Sequence, residues 1–271
     1  MSRLESLLKP VKLDGIARSK TYRRLRDPFW TFSPLALRSR RELLRLRNSQ
    51  KGEHGHIIGT GPSLNHTDFS KVNDGPTIGL NRIYLGLDRL GFAPDFLICV
   101  NLNMLSQSAG DISAFPSQVI ASWASRRDFK KIGTSQDIIF ARTTADQSFQ
   151  KNLTETLPVG ATVTFSALQL AYWLGWSQVT LLGIDHHYDL EKHERIRNPH
   201  ETIERNQADT NHFDAKYIPI GQAWQLPDLT ASEESYRAAR IAYEADNRLV
   251  EDGTVDGRLA VFEKSQISYR K

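Results

Sequence analysis

The stretch Ile57–Leu64, IIGTGPSL, sets an apolar run directly against a glycine-flanked turn that carries a proline and a serine. Two readings compete. In one, Gly59 and Gly61 let the backbone approach a ligand, and Pro62 and Ser63 open a helix whose free N–H groups attract an anion. In the other, the turn is punctuation between a strand and a helix. The spacing is not GxGxxG, because position 64 is leucine, and no lysine follows to make a Walker loop.

Working outward, short apolar runs recur: HIIG (56–59), TIGL (77–80), DFLICV (95–100), QVIAS (118–122), DIIFA (137–141), QVTLLG (178–183) and a closing RLAVF (258–262). Several are apolar on successive residues, as a strand covered on both faces requires. Helical spacing falls between them at Ile83–Leu90 and at Thr164–Leu174, and Ser232–Asp246 reads as a helix with Ser232 as its cap. This alternation predicts an α/β fold with a doubly wound, mostly parallel sheet. From His187 to about residue 230 the period lapses, which predicts a lid-like excursion over the site.

Hydrophobic residues make up 39% of the 271 and charged ones 24%, an ordinary globular balance without a bilayer-spanning apolar run. The single cysteine, Cys99, lies in the apolar run FLICV and reads as a buried thiol. A lone cysteine and an N-terminus too charged for a signal sequence predict a cytoplasmic protein. Charge is distributed unevenly: residues 1–51 hold 14 Lys/Arg against 4 Asp/Glu, leaving 21 basic and 27 acidic groups in the other 220. The sequence thus divides into a basic extension, 1–52, and a main domain, 53–271. In the extension, residues 18–47 interleave cations with Phe29, Trp30 and Phe32, which suits the headgroups of an anionic membrane. A helical extension packed on the domain through Leu35, Leu37, Leu43, Leu44 and Leu46 is the alternative, and nucleic acid is not the expected partner.

In a doubly wound sheet, ligands gather beyond the C-terminal strand ends. There stand Asn81, Asn101 and Asn103, whose amides both donate and accept but which also suit ordinary turns. Gly160, Thr162 and Thr164 precede the long helix as a second anion site, with Thr164 equally readable as an N-cap. Asp185 ends a buried strand and needs a hydroxyl, a cation or a metal as partner. Five of the eight histidines, at 186, 187, 193, 200 and 212, fall in or beside the excursion without zinc-ligand spacing. His212 is the candidate general base, because Asp209, Asn211 or Asp214 could orient its ring.

IIGTGPSL, GLNRIYL, PDFLICVN, the run from GATVTFSAL to GIDHHY, TNHFDAKYI and the C-terminal SYRAARIAYEAD recur in an order that resembles the hydroxymethylpterin diphosphokinase-like (MptE-like) family, over about residues 55–268. The resemblance implies a Rossmann-like fold related to bacterial sialyltransferases that use CMP-activated sugars. It implies nucleotide contacts from Gly61, Ser63, Asn81, Asn101 and Asp185, with His212 as base. Two features depart from the sialyltransferase pattern. Thr162-Val163-Thr164 replaces a Thr-Ser-Gly turn, and His186 and His187 displace a tyrosine, leaving Tyr188 as the leaving-group contact. The implied activity is sugar transfer from a CMP-linked donor to a glycan or lipid-linked acceptor, with no cofactor required. The alternatives are a diphosphokinase needing Mg²⁺ on Asp185 with Asp189 or Asp209, and a non-catalytic nucleotide-binding module.

Overall fold

The computed structural model describes residues 28–72, 75–133, 138–189, 202–204 and 207–271. The strongly basic stretch 18–26, His193 and His200 lie outside them. In chain order the elements are α1 (Pro28–Phe32), α2 (Pro34–Leu46), β1 (His54–Ile58), β2 (Thr77–Leu80), α3 (Leu87–Leu90), β3 (Phe96–Cys99) and α4 (Leu102–Ser113). There follow β4 (Gln118–Ser122), α5 (Arg126–Ile132), β5 (Ile139–Ala141), β6 (Thr143–Thr144), β7 (Leu157–Pro158), α6 (Val163–Leu174) and β8 (Gln178–Leu182). The chain ends with β9 (Thr202–Glu204), β10 (Ala223–Gln225), α7 (Leu229–Glu244), β11 (Leu249–Asp252) and β12 (Glu263–Lys264).

Eight strands form one parallel sheet in the order β12-β11-β8-β1-β2-β3-β4-β5. The doubly wound α/β architecture read from the sequence is therefore present. Its apolar runs are continuous because consecutive residues serve opposite faces: Ile57 joins the core under α6, whereas Ile58 joins the core under α4 and α5. Every residue of α6 from Thr164 to Leu174 is buried, which accounts for its uninterrupted apolarity. The strand order reverses between β1 and β8, and a crevice opens there beyond their carboxyl ends.

The free edge of β5 is covered by α2. Ser39 Oγ accepts from Phe140 N at 3.1 Å, and Arg38 donates to the Ile138 carbonyl at 2.9 Å, so side chains occupy groups that would otherwise invite another strand. Trp30, Ala36 and Leu43, from the stretch read as an extension, are core residues; Leu35 and Leu46 pack partly, and Leu37 and Leu44 stay exposed.

Four local expectations change. RLAVF forms no strand: Leu259, Val261 and Phe262 are buried as irregular chain, and the last strands are β11 and β12 instead. The last long helix is capped by Asp228, whose carboxylate accepts from Ala231 N at 2.9 Å, four residues ahead of Ser232, the expected cap. Thr162, not Thr164, caps α6. The excursion contains an antiparallel pair, β9 with β10.

Candidate active site

The two turns at the switch point lock onto each other. Asp185, directly after β8, accepts from Ser63 N at 3.0 Å and from Ser63 Oγ at 2.7 Å. Gly61 N donates to the Gly183 carbonyl at 2.9 Å. A Cβ on Gly61 would stand 1.8 Å from Asp185 Oδ2, and one on Gly59 would stand 2.3 Å from the Gly183 oxygen. The glycines are thus required by the contact of two backbone turns. This corrects the reading of Ser63 as a free anion donor: its N–H and hydroxyl already hold a carboxylate of the same chain. Pro62 opens only a five-residue 3-10 turn, and neither Pro62 nor Ser63 lines the cleft. Burial raises the pKa of Asp185 against the opposing effect of the Ser63 hydrogen bonds.

Beyond these turns lies a cleft of about 870 Å³. Gly59, Gly61, Asn81, Asn101, Thr162, Thr164, Asp185, Tyr188 and His212 all line it, so the predicted residues converge on one hollow apart from Pro62 and Ser63. Asn81 adopts φ +52° and keeps a buried side-chain oxygen without a hydrogen-bond partner among the described residues, a costly arrangement that a ligand donor would relieve. Asn101 has a second duty: its Oδ1 caps α4 by accepting from Met104 N at 3.1 Å. Its Nδ2 faces Gln225 Oε1 at 3.3 Å. Thr162 Oγ1 lies 3.4 Å from the Tyr236 hydroxyl, tying the α6 N-terminus to α7.

The excursion supplies the opposite wall. His212 Nδ1 lies 2.7 Å from Asp209 Oδ2, whose side chain is fully buried, and Asp209 Oδ1 accepts from Asn211 N at 2.9 Å. Of the three orienting candidates, Asp209 therefore acts on the ring. Asn211 instead binds the Asp189 backbone, and Asp214 accepts from Lys216 N. The imidazole stacks flat on Tyr217, centroids 3.8 Å apart and planes 13° apart, with Tyr188 edge-on at 6.3 Å. Nδ1 on Asp209 leaves Nε2 without a partner among the described residues. Burial pushes the hydroxyl pKa of both Tyr188 and Tyr217 upward, so each stays a neutral phenol.

Sequence reasoning missed Tyr217, Trp224 and Arg82 in this wall, and the partner of His186. His186, at φ +51°, holds Glu233 Oε1 at 3.2 Å, and this bond lowers the Glu233 pKa. Among the described residues no three His, Cys, Asp or Glu side chains are grouped to hold a metal ion. Of the carboxylates suggested for Mg²⁺, Asp185 is held by Ser63 and Asp209 by His212 and Asn211.

A parallel α/β sheet with a polar cleft at its switch point is the Rossmann-like, doubly wound architecture. The chain belongs to the 6-hydroxymethylpterin diphosphokinase MptE-like family, whose match covers residues 36–191, more than half of its length. A solved glycosyltransferase, Maf from Magnetospirillum magneticum AMB-1, superimposes with a TM-score of 0.52 at 15% identity over 81% of this chain. That likeness establishes the fold, and this chain spans only 35% of that protein's length. The sialyltransferase CstII from Campylobacter jejuni, in complex with CMP-3FNeuAc, gives a TM-score of 0.34 at 15% identity over 80% of this chain and 87% of that one. No curated protein matched in sequence.

Proposed function

We propose that this protein is a glycosyltransferase that moves a sugar from a nucleotide donor, a CMP-linked acidic sugar, to a hydroxyl of a glycan or lipid-linked acceptor. The observation that carries the reading is the Asp209–His212 pair, stacked on Tyr217 and lining a cleft at the switch point. Asp209 on Nδ1 fixes the tautomer that presents a lone pair at Nε2, the arrangement a general base needs. The acceptor oxygen attacks the sugar carbon and gives its proton to Nε2. The bond from that carbon to the phosphate oxygen breaks, and its electrons leave with the nucleotide. Asn81, Asn101 and the α6 N-terminus with Thr162 and Thr164 are the groups that would hold the nucleotide and the departing phosphate, with Tyr188 beside them.

The family description favours a second reading, pyrophosphoryl transfer from ATP to a pterin-like alcohol with Mg²⁺. Thermal shift with CMP, CDP, UDP, GDP and ATP, each with and without Mg²⁺, separates the two. Stabilisation by cytidine nucleotides without metal supports sugar transfer. A response to Mg-ATP alone supports the kinase.

The acceptor's setting is proposed from α1 and α2. Leu37, Arg41 and Leu44 form one exposed stripe on α2, Arg45 and Arg47 adjoin it in sequence, and Phe32 at the end of α1 is 74% exposed. Apolar side chains among cations fit an anionic bilayer surface at the inner membrane face. No described helix is long and apolar enough to cross a membrane. Sedimentation with phosphatidylglycerol vesicles is expected, and Leu37→Glu with Leu44→Glu should abolish it.

A further inference from the structure

Arg82 follows Asn81 at the end of β2 and is 5% exposed. Its Nε donates to Ser108 Oγ at 2.9 Å, and its Nη2 reaches Gln107 Oε1 at 3.3 Å and Gln222 Oε1 at 3.1 Å. Its Nη1 donates to the Tyr217 carbonyl. All four acceptors are neutral. A buried guanidinium with no carboxylate partner among the described residues is expensive to keep in place, so its retention calls for an account. The acceptors fall into two groups: Gln107 and Ser108 belong to α4, while Tyr217 and Gln222 belong to the excursion. Helix α4 departs from helical geometry at Ser108, at φ −127° and ψ 20°, where it meets the guanidinium. One planar fork therefore ties the irregular wall of the cleft to the rigid sheet layer.

The residue it grips matters. Tyr217 is the ring on which His212 lies flat, and its hydroxyl sits beside Thr60 and Asn81. The path from sheet to base is short: α4 and β2 to Arg82, Arg82 to the Tyr217 backbone, the Tyr217 ring to His212. Asp209 fixes the azimuth of the imidazole through Nδ1, and Tyr217 fixes its height in the cleft. We infer that Arg82 is a positioning residue that clamps the Tyr217 platform and so sets the reach of His212 Nε2 towards the acceptor hydroxyl. Lysine cannot replace it, because a single ammonium cannot span acceptors on both sides with the fork's geometry.

The inference rests on the sugar-transfer reading for its kinetic arm but has a readout independent of turnover. In the full chain, Tyr217's ring current should shield the stacked His212 imidazole protons, read by NMR with His212→Gln as the assignment control. Arg82→Ala should move those signals towards the unstacked position, and added guanidinium should return them. In transfer assays Arg82→Ala should lower kcat by about 30-fold, the scale of a small misplacement, with donor KM within about three-fold and kcat partly restored by guanidinium. Arg82→Lys keeps the charge and serves if the alanine variant does not fold; it too should lose the shielding. Unmoved His212 signals in whichever variant folds, or a kcat loss that guanidinium does not repair, would overturn the assignment. If wild type transfers no sugar from any nucleotide donor, the proposed activity fails while the NMR arm still decides the role of Arg82.

Discussion

The β1–β8 junction and the excursion face each other across one cleft, and they divide the labour differently from what their sequences advertise. IIGTGPSL has the look of a ligand turn, yet Gly59, Gly61 and Ser63 chiefly join two turns of the chain to each other. The polar stretch around TNHFDAKY looks like surface loop, yet it delivers a buried Asp–His pair on an aromatic platform. A strand-end turn must first close the sheet, because its groups are fixed by their neighbours. An excursion has fewer such duties and can hold a ring nitrogen open.

The largest expected effect tests the excursion. His212→Ala should lower kcat by about 10²- to 10⁴-fold while leaving nucleotide affinity within a few fold, measured by steady-state kinetics beside calorimetry. Loss of binding instead would move His212 from base to ligand contact. The next sharpens the junction through β1 itself. Burial lowers the pKa of His56 to about 4, and its partner there is the Tyr269 hydroxyl at 3.2 Å. Below pH 6.5 the unfolded chain takes up this proton and the native one does not, so stability should fall by about 3 kcal/mol between pH 6.5 and 4. Asp185, shifted upward, works in the opposite sense in acid. Urea titrations should therefore compare wild type with His56→Gln, in which the His56 part of the slope is absent.

Gly61→Ala forces a methyl group against the Asp185 carboxylate and should cost about 1–3 kcal/mol of stability by urea denaturation. Ser63→Ala takes one hydroxyl from Asp185 and should cost about 1 kcal/mol, with nucleotide affinity unchanged because Ser63 does not line the cleft. A large loss of affinity in Ser63→Ala would restore the ligand-turn reading and erase the contrast between the two regions.

The sheet was legible because a strand buried on both faces leaves an uninterrupted apolar signal, as in FLIC and QVIAS. LVED escaped notice because β11 carries charged residues and alternates in burial, while RLAVF misled because an apolar run can be buried without a ladder. His212 was legible with three candidate orienters, and the fold chose Asp209. The engagement of Ser63 by Asp185 was not legible, since 122 residues separate them and nothing local marks the contact. Arg82 and Tyr217 were missed for the same reason: their meaning lies in a bond across 135 residues.

The most direct test is a crystal structure of the full chain with CMP and a non-transferable sugar acceptor. The account predicts the nucleotide in the cleft beside Asn81 and Asn101, with an acceptor hydroxyl within hydrogen-bond reach of His212 Nε2. A nucleotide bound on any other surface, or an acceptor hydroxyl served by a different base, would contradict it.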